Sequence, residues 1–318
     1  MKKLFVWAIL LGAVGYGGAK LYLHNEISGS MDAVVLMLLP YASVRYDGVV
    51  STMSGELAIE GMTLRVQGFR DEIYIDSIGI DTPSFLSLLQ LGDVLTTQGD
   101  SMPEHISFIV KGLRMPANAD YYRKIYEFTL AEHGAADATD AAVECVGKYG
   151  FSPRALAALG YSEQVFSMSM SVRDEGSMYS LDLTANVEDM WDFAASIGLS
   201  GNMMKEMSKG IQYRPKLATL DLEFVDRSLH ERVAEYCRER GLSPEETLTA
   251  QLESFKYSGE YNGIEFSEFM LDPYREFLQG KSTLAVSARP NSPILFSQID
   301  LYKPSDVPAL LNLRATTR

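Results

Sequence analysis

The chain has 318 residues, 47% of them hydrophobic and 22% charged, a globular composition that excludes disorder as its main state. Its formal charge is −14. A general nucleic-acid binder needs a basic surface, so nucleic acid is excluded as a partner class. Two cysteines are too few for a zinc ribbon or a disulfide-dense miniprotein.

Met1-Lys2-Lys3 is a short basic start, and Leu4 to Ala19 follows without a charge. Lys20 interrupts before Leu21-Tyr22-Leu23. Residues 4–23 are long enough for a transmembrane helix if Lys20 snorkels to the interface. Tyr16 and Tyr22 then sit at headgroup level. A cleaved signal peptide is the competing reading, with Gly17-Gly18-Ala19 as its small-residue exit. The anchor is preferred because the apolar stretch outruns a usual signal core. Lys2 and Lys3 put the N-terminus in the cytoplasm, and the Met-Lys-Lys start has a bacterial look. The expectation is a single-pass protein of the bacterial inner membrane with a periplasmic body. Beyond residue 24 the chain holds 25 basic and 42 acidic residues, a formal −17. Such a body is repelled by anionic headgroups and should stand off the membrane.

Ala33–Leu39 is apolar on every side and ends at Pro40. It predicts a buried helix, or an interfacial turn continuing from the anchor. From Val44 the period changes to two. Leu57, Ile59, Met62 and Leu64 stand at offsets 0, 2, 5 and 7, with Gly61 at offset 4. Ile73, Ile75, Ile78 and Ile80 repeat this around Ser77, and Phe108, Val110, Leu113 and Met115 repeat it around Gly112. A one-residue bulge at the small residue brings all four apolar residues of a strand to one side. Three strands bulged at one level bend the sheet along a line. The alternative is that each strand turns a corner and buries both sides.

Further strands are predicted at Val165–Val172, Tyr179–Ala185, Lys216–Val225 and Leu284–Arg289, each with apolar alternation. Helices are predicted at Phe85–Leu91 after Thr82-Pro83-Ser84, at Val187–Ile197 after Asn186, and at Leu229–Arg240 with Ser228 and Glu231 as a capping box. Two similar helix hairpins run Cys145…Gly150-Phe151-Ser152-Pro153 and Cys237…Gly241-Leu242-Ser243-Pro244, with Ser-Pro as N-cap and first helical residue. Both cysteines fall on inward helix faces. In an oxidising compartment they either form a disulfide or stand as two buried thiols. Residues 1–24 are read as membrane anchor or signal peptide, and 25–318 as one domain whose seam, if any, lies near 134–140.

Motifs with chemistry are few. Gly280-Lys281-Ser282 resembles the end of a phosphate-binding loop, but Arg275 stands where the first glycine belongs. The triplet also follows a helix and opens a strand, the reverse of that loop's setting. His24, His105, His133 and His230 make no metal-binding or catalytic spacing, and His133 reads as a solvated helix end. No Gly-x-Ser-x-Gly elbow occurs. No catalytic residue, cofactor or metal is predicted.

The anchor, the strand Gly55-x-Leu57-x-Ile59-x-Gly61-x-x-Leu64, and the strand Ile73-x-Ile75-x-x-Ile78-x-Ile80 ending in Thr82-Pro83 resemble the start of AsmA-like bacterial envelope proteins. The resemblance covers residues 1–90 and ends where helical segments take over after residue 116. It implies a curled, groove-forming β-sheet in the periplasm and a role in lipid or outer-membrane homeostasis, with no catalytic residues to carry over.

The expected fold is α+β: a bent, mostly antiparallel sheet with helices packed on one face, behind one transmembrane helix. The expected function is non-enzymatic. The twelve apolar residues named above would bind lipid or another apolar ligand, or the body would scaffold an envelope partner. A purely structural interaction module without a ligand is the second reading, and a hydrolase the third.

Overall fold

The computed structural model describes residues 35–97, 103–133, 141–201, 214–261, 266, 268–299 and 301–318, together with 24, 28, 29 and 32. Leu4–Leu23 and the 134–140 loop lie outside the described residues. No helix among the described residues is long and apolar enough to cross a membrane. The protein is α+β, with a large, mostly antiparallel open sheet and helices. It divides into two compact units, with the division inside one strand, between Lys111 and Gly112.

The first unit holds β1 (Ala42–Arg45), β2 (Gly48–Ser51), β3 (Glu56–Val66), β4 (Ile73–Asp81), α1 (Phe85–Thr97) and the first half of β5 (His105–Pro116). β1 and β2 pair side by side along β3, and β3 pairs with β4. Between β3 and β4 the register runs Glu60↔Ser77 and then Met62↔Ile75 without a shift, and Gly61 lies between the two pairs. Gly61 has φ +61° and Gly112 φ +63°, a left-handed conformation that costs any residue with a Cβ about 1–2 kcal/mol. A Cβ on Gly61 would also run into the Asp47 carboxylate. Alternation changes parity here: Glu60 is exposed before Gly61, and Arg65 after it. The bulge expected at Ser77 makes no register shift: Ser77 keeps its place opposite Glu60, in phase with the pairs that precede and follow it.

The second unit holds the end of β5, α2 (Asp120–Glu132), α3 (Ala141–Cys145), α4 (Pro153–Ala158), β6 (Glu163–Asp174), β7 (Met178–Val187), β8 (Trp191–Ser200) and β9 (Lys216–Asp226). It continues with α5 (Leu229–Glu239), α6 (Pro244–Tyr261), α7 (Glu268–Leu278), β10 (Thr283–Ala288), β11 (Ile294–Leu295), α8 (Phe296–Ile299), α9 (Val307–Leu310) and β12 (Arg314–Thr317). Strands β6, β7, β8, β9, β10 and β12 are hydrogen-bonded in that order, and β11 pairs with the start of β9. The helix expected at Val187–Ile197 is not formed. Glu188, Asp189 and Met190 make a tight turn, with Asp189 at φ 59°, and β8 returns along β7. Trp191, Phe193, Ala195, Ile197 and Leu199 alternate at period two, and pairing on both sides outweighs the helical propensity of the alanines.

Both Ser-Pro hairpins form as expected. Ser152 Oγ accepts from Ala155 N–H at 3.1 Å. Ser243 and Glu246 bond reciprocally, at 3.2 and 2.8 Å, which lowers the Glu246 carboxyl below its ordinary range. The Ser228–Glu231 box does not form: Ser228 makes no cap bond, and its hydroxyl donates to the Asp189 carbonyl instead.

Cys145 and Cys237 are joined in a disulfide, with Cα atoms 5.3 Å apart. Both are fully buried among Leu156, Val233, Tyr236 and Met190. Helix α3 has only five residues, too few to hold helical structure alone. The bond ties it to α5 across 92 residues of chain. Closing a loop of that length is worth about 4–5 kcal/mol. Reduction should therefore lower unfolding stability by about that amount, read as a shift of the urea midpoint between oxidised protein and protein in dithiothreitol.

Candidate functional site

Ten of the twelve predicted apolar residues belong to the first unit, while Leu113 and Met115 lie in the second. Eight of the ten face one another directly: Leu57↔Ile80, Ile59↔Ile78, Met62↔Ile75 and Leu64↔Ile73. Residues directly opposite share a side of the sheet. β1 and β2 extend these rows, with Val44 opposite Leu64, Val49 opposite Ile59 and Ser51 opposite Leu57. All three are buried, as is Ile75. Buried partners thus stand opposite predicted apolar residues both before and after Gly61, while Ala58, between Leu57 and Ile59, is buried on the other side. α1 packs on one end of this side through Phe85, Leu88 and Leu89 against Leu57. Toward β5 cover is thinner: Val110 is half-buried and Phe108 is 45% exposed. Leu113 and Met115 are half-buried in the second unit.

The larger apolar side lies in the second unit, and it went unassigned in the sequence. Pairing lines up Met170, Leu183, Ala195, Leu222, Val286 and Ala315 in one row. A flanking row runs Met168, Ala185, Phe193, Phe224 and Leu284, and another Val172, Leu181, Ile197, Leu220 and Ala288. The opposite side carries Ser171, Asp182, Ser196, Asp221 and Ser287 in one row. Two helical clusters pack against the ends of the apolar side. One, around the disulfide, takes in Phe166, Val187 and Trp191. The other, with Leu311 and Val307, takes in Ile197, Leu220 and Ala288. Phe277 of α7 stands edge-on to Phe224, with ring centroids 5.8 Å apart. The middle row belongs to neither cluster, and Met170, Leu183, Leu222 and Val286 are half-buried. Its signal was the alternation already visible in each strand. What was missing was the register that sets six strands side by side.

The polar side holds a trough of about 440 Å³ over β7–β10 and β12. Its carboxylates are satisfied internally. Ser196 donates to Asp182 at 2.6 Å, Arg289 makes two bonds to Asp221 at 2.8 and 2.7 Å, and Arg318 reaches Glu223 at 2.5 Å. A second polar cleft, about 570 Å³, is lined by Asn186, Glu188, Asp189, Asp192, Arg227, Ser228 and Arg232. Both of its arginines and Ser228 are committed. Arg227 pairs with Asp192. Arg232 donates to the Leu159 carbonyl at 2.9 Å and lies over the Tyr161 ring at 4.6 Å. Burial pushes the Tyr161 phenol up, partly offset by its bond to Ser228. Ser228, whose proton goes to Asp189, has no adjacent base to activate it.

One hydroxyl–imidazole contact occurs in the first unit, Ser107 Oγ to His105 Nε2 at 3.0 Å. His105 Nδ1 is buried and makes no hydrogen bond, so no acid orients the ring as a triad requires. His133 caps the end of α2 and is half-buried. Tyr149, Tyr257 and Tyr261 surround it, and Nδ1 lies 2.9 Å from the Tyr257 hydroxyl. Gly280-Lys281-Ser282 links α7 to β10, helix before strand, as the sequence indicated. Among the described residues no cluster of His, Cys, Asp or Glu is arranged to hold a metal.

A family model described only as "Uncharacterized protein" matches residues 167–318, a stretch running from within β6 through β12. No curated protein matches the chain.

Burial separates two members of the predicted face. Ile75→Ala should cost about 2–4 kcal/mol, whereas Phe108→Ala, at an open position, should cost under about 1 kcal/mol. Urea unfolding of the two variants checks the contrast, and equal losses would mean that Phe108 is packed as core.

Proposed function

We propose that this is a membrane-anchored envelope protein, non-enzymatic, that binds a lipid or another apolar ligand along an apolar side of its sheet. The supporting observation is the row Met170–Leu183–Ala195–Leu222–Val286, apolar across five strands and, apart from the buried Ala195, half-buried between two helical clusters. A long acyl chain laid along such a row gains about 0.8 kcal/mol per buried CH₂. The ten predicted residues of the first unit offer a smaller surface of the same kind, open at Phe108. On this reading helices pack on the apolar side of a bent sheet and leave a strip for the ligand.

The Cys145–Cys237 disulfide suits an oxidising compartment, and so supports a periplasmic body. Residues 4–23 supply the anchor, with the N-terminus in the cytoplasm. The likeness of residues 1–90 to AsmA-like proteins points the same way, toward lipid or outer-membrane homeostasis.

A second reading, docking of an envelope partner, is favoured by one feature. Ile125 and Phe128 stand exposed on α2, three residues apart and so on one helix face.

Two measurements test the first reading. Full-length protein purified in mild detergent should carry lipid detectable by mass spectrometry. Leu183→Asp should remove it, and Ser169→Asp on the opposite side should not, with circular dichroism showing both folded. Folded Leu183→Asp protein with unchanged lipid would refute the groove. Separately, an export-dependent reporter fused after Arg318 should be active, and a fusion active only in the cytoplasm would overturn the topology.

A further inference from the structure

The sequence leaves Ala33–Leu39 open to two readings, a buried helix or an interfacial turn. The structure rejects burial: Leu36, Met37, Leu39 and Tyr41 are 66, 74, 52 and 72% exposed. Four large apolar side chains within six residues are displayed to the outside. They are also held in place. Leu39 N–H donates to the Val35 carbonyl at 3.1 Å and Tyr41 N–H to the Leu38 carbonyl at 2.8 Å. The turn is fastened to the strand end by Gln67, whose N–H donates to the Tyr41 carbonyl at 2.8 Å and whose side chain reaches the Leu39 carbonyl at 3.3 Å. A fixed, exposed apolar patch marks an interaction surface.

The chain itself indicates what covers it. Leu36 follows Leu23, the end of the apolar stretch, by 13 residues, a reach of at most about 45 Å. From Ala33 to Val44 no residue is charged, in a body that is otherwise strongly acidic. Anionic headgroups repel that body, and an uncharged window is where such a protein can touch lipid. Tyr41, with an apolar ring and a polar tip, is a residue type suited to headgroup level. We infer that Leu36, Met37, Leu39 and Tyr41 seat the first unit on the lipid surface from which residues 4–23 emerge. The rest of the body is held off by charge, and the apolar contact sets its orientation. This seat rests on the anchor reading of residues 4–23.

Site-directed spin labelling of the full-length protein in liposomes tests it. The native cysteines are bonded, so single cysteines at Leu36→Cys, Met37→Cys, Leu39→Cys or Tyr41→Cys can be labelled alone. Leu11→Cys reports the anchor, and Met53→Cys and Leu301→Cys, both exposed, report water. The expected result is high oxygen and low nickel-chelate accessibility at the four seat positions, at shallower depth than at position 11. The pattern should be unchanged by about 0.5 M salt, since the contact is apolar. Nickel accessibility at the four positions equal to that at 53 and 301, with position 11 in lipid, would overturn the seat and leave the anchor standing. A water-exposed position 11 would overturn the anchor and the seat with it. Exclusion of both oxygen and nickel from the four positions would mean that protein covers the patch, which also overturns the lipid contact.

Discussion

Neighbouring residues of a pleated strand point to opposite sides, and the second unit depends on this constraint. From β6 to β10 nearly every large apolar residue stands one position away from Ser, Thr, Asp, Asn or a small residue. Antiparallel pairing keeps the sides in phase across five strands. A slip of one residue in any strand would put leucines and methionines among Asp182, Asp221 and Glu223. The register is therefore strongly specified. The irregularity at Gly198 and Leu199, near the end of β8, lies beyond the three aligned rows.

The same constraint explains where the helices attach. An apolar side needs cover, and cover comes from two separate clusters and from α7, whose buried Phe277 packs against Phe224. One is built on the disulfide, with α4 and α5 supplying Leu156, Val233 and Tyr236. The other comes from the C-terminal segment, with Val307 and Leu311. The covalent bond matters most where secondary structure is weakest, because α3 is a single turn. Polar groups around the first cluster are absorbed in holding it together. Ser228 does not cap its own helix, whose His230 N–H donates to the Asp226 carboxylate instead, and it ties the β7–β8 turn to Tyr161.

The first unit solves its geometry differently. Its strands carry apolar residues at offsets that plain alternation would send to opposite sides. Gly61 adopts a left-handed conformation there, and the register with β4 stays in phase on both sides of it.

Local pattern made several features legible in the sequence. The strands at 165–172, 179–185, 216–225 and 284–289, the glycine interruption at Gly61 and both Ser-Pro hairpins depend on side-chain period, backbone freedom and caps, which are properties of a few adjacent residues. The stretch 187–197 reads as a helix because Asn186 and two alanines suit a helix start. Only pairing with β7 and β9 made it a strand. The sequence leaves the Cys145–Cys237 bond open because it depends on two helices meeting across 92 residues. The apolar row through Met170, Leu183 and Leu222 was invisible as a row for the same reason. Each strand shows its alternation alone, but which strands lie side by side, and in what register, is set by contacts between residues far apart in the chain.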